Sequence, residues 1–235
     1  GVQWESSTVS YSFPTLNSHW STSEIDGYPG YPGNSEPWTA GFNTLLATDR
    51  SAVQKALAGW SNVANLHFTQ VTDNASVVGD IRFAYATLSD NAQAWAYSPT
   101  GGANAGDVWF NANSSSYLAS WTEGSYEYST AIHEIGHALG LKHPFDADWL
   151  TTTVLPAELD TTSYTIMSYS AYPGDVQSYL TYEPTTPMVL DVAAIQALYG
   201  ANNSYNASNT TYNFTAGGRY NMTIWDGGGT DTIAY

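Results

Sequence analysis

Three of the chain's five histidines fall within eleven residues, from His133 to His143, in the order H-E-I-G-H-A-L-G-L-K-H. Residues four positions apart share one face of a helix, so His133 and His137 can bind one metal ion. Glu134 lies about 100° round the helix from His133, near that ion without having to ligate it. Gly140 tolerates the left-handed conformation that ends a helix, which lets the chain return His143 to the ion. Three neutral imidazoles with an open fourth position are typical of catalytic zinc, because structural zinc sites are closed by four ligands.

The same stretch has a purely structural interpretation. A single histidine is usually a satisfied surface or core residue, and H-E-x-x-H occurs by chance on helices. Here a third histidine and a glycine fall in the same register, which favours the metal site. Pro144 prevents the preceding residue from continuing a helix, as a chain reversal at this point requires.

The pattern H-E-x-x-H-x-x-G-x-x-H resembles the signature of the metzincin metalloproteases. Pro144, directly after the third histidine, narrows the resemblance to the serralysins, which are secreted bacterial zinc proteases. The resemblance implies an α+β metzincin fold, with a twisted, mainly parallel five-stranded sheet over two long helices. It also implies zinc in the cleft, a short β-rich C-terminal segment and secretion of the protein.

The segment T-I-M-S-Y, residues 165–169, carries two further residues of interest. A methionine in an apolar setting commonly fills core space. Met167, however, follows the third histidine by twenty-four residues, and there the resemblance implies the Met-turn, which supports the ligands without touching the ion. Tyr169 matches the tyrosine that serralysins and astacins place at the zinc. The alternative is that Tyr169 only packs against the turn.

The predicted reaction is hydrolysis of peptide bonds in protein or peptide substrates by a zinc-activated water. Zinc lowers the pKa of bound water to about 7, and Glu134 then acts as general base and afterwards as acid. Zinc and the Tyr169 hydroxyl would stabilise the oxyanion. Two other classes stay open, a non-catalytic module of the same fold and a calcium-stabilised surface or adhesion domain. The presence of Glu134 argues against the first of these.

A strand is predicted over residues 106–113, immediately before the zinc helix. In serralysins the strand at this place borders the cleft, and the resemblance implies that substrate adds to it as an antiparallel strand. The alternative is an ordinary strand whose edge is covered. The residues predicted to bind substrate in this way are Asp107, Val108, Trp109, Phe110 and Asn111.

Several other elements must position these residues. A helix with an apolar stripe is predicted after Thr48 or Asp49, either of which could cap it. The zinc helix is predicted to begin near Ser129. A last helix is predicted with Thr186 as its cap, Pro187 at its first position and an end at Gly200. Strands are also predicted over residues 7–13, 66–71, 80–85 and 92–97.

The composition changes to Asn, Ser and Thr from residue 201, which predicts a catalytic domain over 1–200 and a linker with the start of a calcium-binding β-roll over 201–235. D-G-G-G-T-D-T-I, residues 226–233, partly fits the calcium-binding nonapeptide repeat. By resemblance, Asp226, Gly228 and Asp231 would bind calcium, a hard cation that prefers oxygen ligands. A plain glycine turn is the alternative. The array of repeats is missing, so we expect either a removed array or a naturally short relative.

The net charge is −16, from 21 acidic residues and 5 Lys or Arg. This balance argues against nucleic acid and anionic membrane surfaces as partners. No apolar run approaches the length of a membrane span, and no cysteine is available as a zinc ligand or nucleophile. The N-terminus lacks the features of a signal peptide, which predicts a mature or trimmed form. We expect a monomer.

Overall fold

The computed structural model describes residues 2–28, 35–88, 92–114, 119–147 and 152–235. The described part contains eight β-strands, three α-helices and a short 3₁₀ turn at Glu36–Trp38. The strands are β1 (Thr8–Ser12), β2 (Asn43–Thr44), β3 (His67–Gln70), β4 (Ile81–Ala86), β5 (Ala94–Ala96), β6 (Val108–Asn111), β7 (Thr211–Asn213) and β8 (Thr232–Ala234). The helices are α1 (Ala47–Val63), α2 (Tyr126–Ala138) and α3 (Val189–Tyr199).

The main sheet is mixed and has six strands, where five were predicted. Its main path runs β3-β1-β4-β6-β5, and the two-residue strand β2 pairs antiparallel with β4. The three pairings β1–β3, β1–β4 and β4–β6 are parallel, whereas β5 runs antiparallel to β6. The strand β5 therefore forms one end of this path.

The central strand β4 is buried on both faces, as the strands of a covered parallel sheet are. Because successive side chains point to opposite faces, Ile81, Phe83 and Tyr85 join the main core while Ala84 and Ala86 join a second cluster. The main core also takes side chains from α1 and α2, so both helices pack on that face of the sheet. A hydrogen bond from Trp60 Nε1 of α1 to a carbonyl of α2 links the two helices.

The predicted caps of two helices are wrong, because each proposed cap residue has another partner. At α1 the cap is Leu46, since the buried carboxylate of Asp49 accepts hydrogen bonds from Tyr85 and Thr48 instead. At α3 the cap is Met188, because the Thr186 hydroxyl accepts from the Thr223 amide. The predicted end of α3 is confirmed, with Gly200 at φ +81°.

The C-terminal segment packs against the ends of two helices. Strands β7 and β8 form their own two-stranded parallel sheet, and the Asn202 side chain donates to the Ser61 carbonyl in α1. The predicted boundary at residue 200 stays a prediction. Within the described ranges, no helix is both long and apolar enough to cross a bilayer.

Candidate active site

The helix α2 carries the first two histidines, and local hydrogen bonds fix both of its ends. It begins three residues earlier than predicted, at Tyr126, because Ser125 caps it and accepts the Tyr128 amide at 3.2 Å. It ends in a Schellman motif, in which the Leu141 and Gly140 amides donate to the carbonyls of Gly136 and His137, each at 2.9 Å. Gly140 has φ +101°, so the predicted left-handed helix end is confirmed.

The N-terminal segment and α3 close this end of α2. A Cβ on Gly140 would collide with the Val2 carbonyl, so only glycine suits both the backbone conformation and the space. Trp4 Nε1 donates to the Ala138 carbonyl, and the Tyr199 hydroxyl donates to the Leu139 carbonyl, each at 2.9 Å. These bonds occupy carbonyls that a helix end leaves unpaired, and they hold the turn that leads to His143.

The three predicted ligands meet at one point. Nε2 of His137 lies 3.0 Å from Nε2 of His133 and 3.0 Å from Nε2 of His143. Among the described residues this is the one group of three potential ligands close enough to hold a single metal ion. The return of the chain after Gly140 therefore brings His143 to the helix face that His133 and His137 share.

The other ring nitrogen of each histidine has an oxygen partner. Nδ1 of His133 lies 2.7 Å from the Ile166 carbonyl, and Nδ1 of His137 lies 2.9 Å from the Leu141 carbonyl. A carbonyl can only accept, so in both rings Nδ1 carries the proton and Nε2 presents a lone pair. Nδ1 of His143 lies 2.7 Å from the carboxylate of Asp146, a partner that acts in the same way.

Burial keeps the first two imidazoles neutral at neutral pH. It lowers the pKa of His133 well below the usual value, with further lowering from the charge of His137. Burial lowers the pKa of His137 most, and the charge of His143 lowers it further, to about 4. Lone pairs that face one another at this distance repel unless a cation lies among them. The donor set therefore fits zinc, which neutral imidazole nitrogens bind readily.

Glu134 lies beside the histidines with an unpaired oxygen. The residue is buried, and its Oε2 has no hydrogen-bond partner in the described structure. Burial raises the pKa of Glu134 to about 8. A cation held by the neighbouring imidazoles would lower that pKa again and favour the carboxylate. A buried, unpaired carboxyl group of this kind is suited to exchange protons with a bound molecule.

Met167 lies under the helix, where its sulfur is close to Gly136. It is buried, and a Cβ on Gly136 would approach its sulfur to 2.6 Å. The turn is fixed by Asp191 in α3, whose carboxylate accepts the Ile166 and Met188 amides at 2.7 Å each. Neither Asp191 nor Asp146 was predicted as part of the site. Asp146 could have been found as a carboxylate three residues after a ligand, but Asp191 resembles an ordinary helix-start residue.

Tyr169 lies over the histidine cluster, where the resemblance to serralysins implies it. Its hydroxyl is 2.8 Å from Nε2 of His143, and its ring stacks on His133 with the centroids 5.6 Å apart. Burial raises the pKa of Tyr169 to about 12, so the phenol stays protonated and can donate at neutral pH. Its position does not fit the alternative in which the residue only packs against the turn.

The predicted substrate strand is not at the edge of the sheet. Strand β6 pairs with β4 on one side and with β5 on the other, and all of its residues are buried. Asp107 is also buried and accepts a hydrogen bond from Tyr28 at 2.6 Å. The prediction that Asp107, Val108, Trp109, Phe110 and Asn111 add a substrate strand is therefore wrong, because both sides of β6 are already paired. The end strand is β5.

The Asp226 loop differs from the histidine site. The carboxylate of Asp226 accepts from the Tyr212 hydroxyl and, at 2.9 Å, from the Gly228 amide. Asp231 accepts the Thr210 amide at 2.9 Å. No third acidic residue of the described chain joins them in a metal-binding group. Calcium binding by Asp226, Gly228 and Asp231 stays a prediction.

Comparison with known proteins gives relatives over most of the chain. The matrixin family model matches residues 43–165, just over half of the sequence. A serralysin from Photorhabdus laumondii is 30% identical over 220 residues, which are 85% of this chain and 45% of the relative. The metallopeptidase AprA of Pseudomonas marginalis is 34% identical over 224 residues, and serralysin C of Dickeya chrysanthemi is 36% identical over 218. These cover 83% of this chain and 46% and 45% of the two relatives.

The fold, the histidine cluster and these matches together identify the family of the chain. The chain belongs to the matrixin family, and its relatives make it a serralysin-type metzincin. The chain spans less than half the length of the relatives it matches.

Proposed function

We propose that this protein is a secreted zinc endopeptidase that hydrolyses internal peptide bonds of protein substrates. The proposal rests on the convergence of three Nε2 atoms, because that of His137 lies 3.0 Å from those of His133 and His143. Their opposite ring nitrogens are held by Ile166, Leu141 and Asp146. His133, His137 and His143 would hold the ion. As a Lewis acid, the ion would lower the pKa of a bound water and polarise the carbonyl of the substrate.

Glu134 and Tyr169 are the residues that act on the substrate. Glu134 Oε2 has no protein partner, so it is free to accept a proton from the attacking water and to deliver it to the leaving amine. The Tyr169 phenol lies over the imidazoles and keeps its proton at neutral pH. It can donate a hydrogen bond to the oxyanion as that charge develops. Met167 supports the histidines from below.

The cleft is bordered by β5 rather than β6. Residues Ala92, Gln93 and Ala94 line the same pocket as His133 and Glu134. Since β5 ends the path of the main sheet, an extended peptide can add to it with main-chain hydrogen bonds. We propose this strand as the place of substrate, in place of residues 107–111.

The proposal extends to the domain organisation and to secretion, which rest on the likeness to serralysins. Residues 1–200 would form the catalytic domain, and the segment 201–235 would contain a calcium site at Asp226, Gly228 and Asp231. The charge of −16 agrees with a protein that is attracted to cations rather than to anionic polymers.

Casein hydrolysis and metal content together test the function. Purified protein should contain one zinc ion per chain and cleave casein, and a zinc chelator should remove both. Added zinc should restore both. A zinc-loaded protein that cleaves neither casein nor shorter peptides would contradict the proposed enzyme and favour the non-catalytic module.

A further inference from the structure

A pocket of about 410 Å³ opens beside Glu134, between α2 and the chain after the Met-turn. We call it the Glu183 pocket, after the one carboxylate in its wall besides Glu134. Its apolar wall includes Ile166, Ala171 and Val176. These side chains can contact the aliphatic stem of a long substrate residue while its polar end reaches further in.

The lining of the Glu183 pocket would place it on the leaving-group side of a bound peptide. It is lined by His133 and Glu134, whereas a second pocket is lined by His137 and His143. Glu134 must reach the leaving amine to protonate it. The residue that contributes that amine would therefore lie on the Glu134 side, with its side chain next to the Glu183 pocket.

The carboxylate of Glu183 is held in place and has no cationic partner. Only 7% of the residue is exposed, its amide donates to the Gly124 carbonyl at 2.9 Å, and its Oε1 accepts the Leu180 amide at 3.1 Å. Burial raises the pKa of Glu183, a cost that a cation in the pocket would relieve. None of the five Lys and Arg residues, all in described ranges, forms an ion pair with it. Their partners are Glu123 for Lys55, Asp73 for Arg82, Leu45 and Thr44 for Arg50, Asp146 and Thr153 for Lys142, and Thr181 for Arg219.

Two tyrosines flank the entrance to the Glu183 pocket. Tyr126 and Tyr179 pack edge to face with their ring centroids 5.9 Å apart, and both line the pocket. They are 41% and 73% exposed, so their faces are available to a substrate. Aromatic faces attract guanidinium and ammonium groups, and so they favour the same kind of side chain that Glu183 would pair with.

We propose that the Glu183 pocket selects substrates with Arg or Lys directly after the scissile bond, and that Glu183 sets this preference. The inference rests on the proposed peptidase function and adds its substrate class. The net charge of −16 favours the approach of basic substrates but cannot choose one position in a peptide. A preference confined to the residue after the scissile bond would therefore come from the pocket.

The test uses peptides that differ at one residue. A peptide built around a mapped casein cleavage site is made with Arg, citrulline, Leu or Glu after the scissile bond. Citrulline has nearly the shape of arginine without its charge, so the ratio of the two kcat/KM values isolates the charge. We expect the arginine peptide to be better by about 10- to 100-fold, the range of a hydrogen-bonded charge in a partly buried site. The Glu peptide should be the poorest.

Matched variants assign the preference to Glu183. Glu183→Gln keeps an oxygen for the Leu180 amide and removes the charge, so the arginine-to-citrulline ratio should fall close to one. Glu24→Gln removes an exposed carboxylate that does not line the pocket, so it should leave the ratio unchanged. Glu183→Lys should reverse the order of the Arg and Glu peptides.

Binding separates this inference from the proposed reaction. In the Glu134→Gln background, the Kd of the arginine peptide should be lower than that of the citrulline peptide by a similar factor. Adding Glu183→Gln should abolish the difference. Equal cleavage and equal binding of the two peptides by a parent protein that hydrolyses casein would overturn the inference alone. Failure to cleave any peptide, with selective binding retained, would overturn the reaction and leave the pocket assignment supported.

Discussion

The histidine cluster and the Asp226 loop were both predicted to bind metal, yet their donor atoms differ in the hydrogen bonds that they form within the protein. The Nε2 atoms of the histidines face one another at 3.0 Å, with two of the Nδ1 atoms occupied by carbonyls. In the loop, the oxygens of Asp226 already accept hydrogen bonds from Tyr212 and Gly228. Outside the cluster, the only partner of a converging Nε2 atom among the described residues is the Tyr169 hydroxyl at His143. In the loop, both aspartates accept hydrogen bonds that a metal ion would have to displace.

The two regions also differ in what supports them. The histidines are fixed by the Schellman turn of α2, by the Met167 turn and by Asp191 of α3, and this support comes from three separate parts of the chain. The loop is exposed over residues 228–231 and forms hydrogen bonds with the nearby 205–212 segment. Orienting partners of ligands raise metal affinity, so we expect tight binding at the histidines and weak binding at the loop.

The largest effect is expected at Glu134. Glu134→Gln should retain zinc, because the residue is not one of the converging donors, and should lower kcat by about 10² to 10⁴, the usual contribution of a general base. Metal content and peptide hydrolysis are measured on the same sample. The control is Glu127→Gln on the same helix, which should keep the parent rate. A zinc-loaded Glu134→Gln protein with full activity would rule out Glu134 as the base.

The next effect concerns Tyr169. Tyr169→Phe removes a donor to the oxyanion, so kcat should fall by about 10² to 10³ while KM changes little. Tyr172→Phe provides the control, because Tyr172 is as exposed as Tyr169, each at 56%, and lies three residues further on. Equal rates for the two variants would mean that the Tyr169 hydroxyl takes no part in the reaction.

A smaller effect is expected at Asp146, which orients His143 through a 2.7 Å contact with Nδ1. Asp146→Ala should weaken zinc binding by about 10- to 100-fold, as the loss of such partners does. Competition with a chromophoric chelator gives the affinity. Glu158→Ala removes an exposed carboxylate from the same segment and should not change it. Unchanged affinity in Asp146→Ala would show that Leu141 and Ile166 suffice to orient the cluster.

The ligands and the turns around them could be predicted because their chemistry is local. The three histidines and Gly140 follow from spacing along one helix and its end, and the position of Tyr169 follows from the resemblance to serralysins. The start of α1 could not be predicted in this way, because whether Asp49 caps the helix depends on Tyr85, thirty-six residues away in β4. The neighbours of β6 were misjudged for the same reason. Pairing with β5 is a non-local property, and the alternating pattern of a strand does not say which side is covered.

The smallest effect is expected from calcium at the Asp226 loop. If the site binds like other extracellular modules, with Kd of about 10⁻⁴ to 10⁻³ M, then 10 mM calcium adds roughly 1.4 to 2.7 kcal/mol to the free energy of unfolding. That corresponds to a rise in Tm of about 3 to 10 °C for a chain of this size. Asp226→Ala should abolish the rise, and Asp26→Ala, at an exposed position elsewhere, should retain it.

Tyr212→Phe makes the test sharper, because it frees the Asp226 oxygen that a calcium ion would otherwise have to take from the Tyr212 hydroxyl. The calcium-dependent rise should therefore be larger in Tyr212→Phe than in the parent protein. Identical melting with and without calcium in both proteins would mean that the loop is only a glycine turn. The two regions would then differ in whether they bind a metal ion at all, and not in how tightly they bind it.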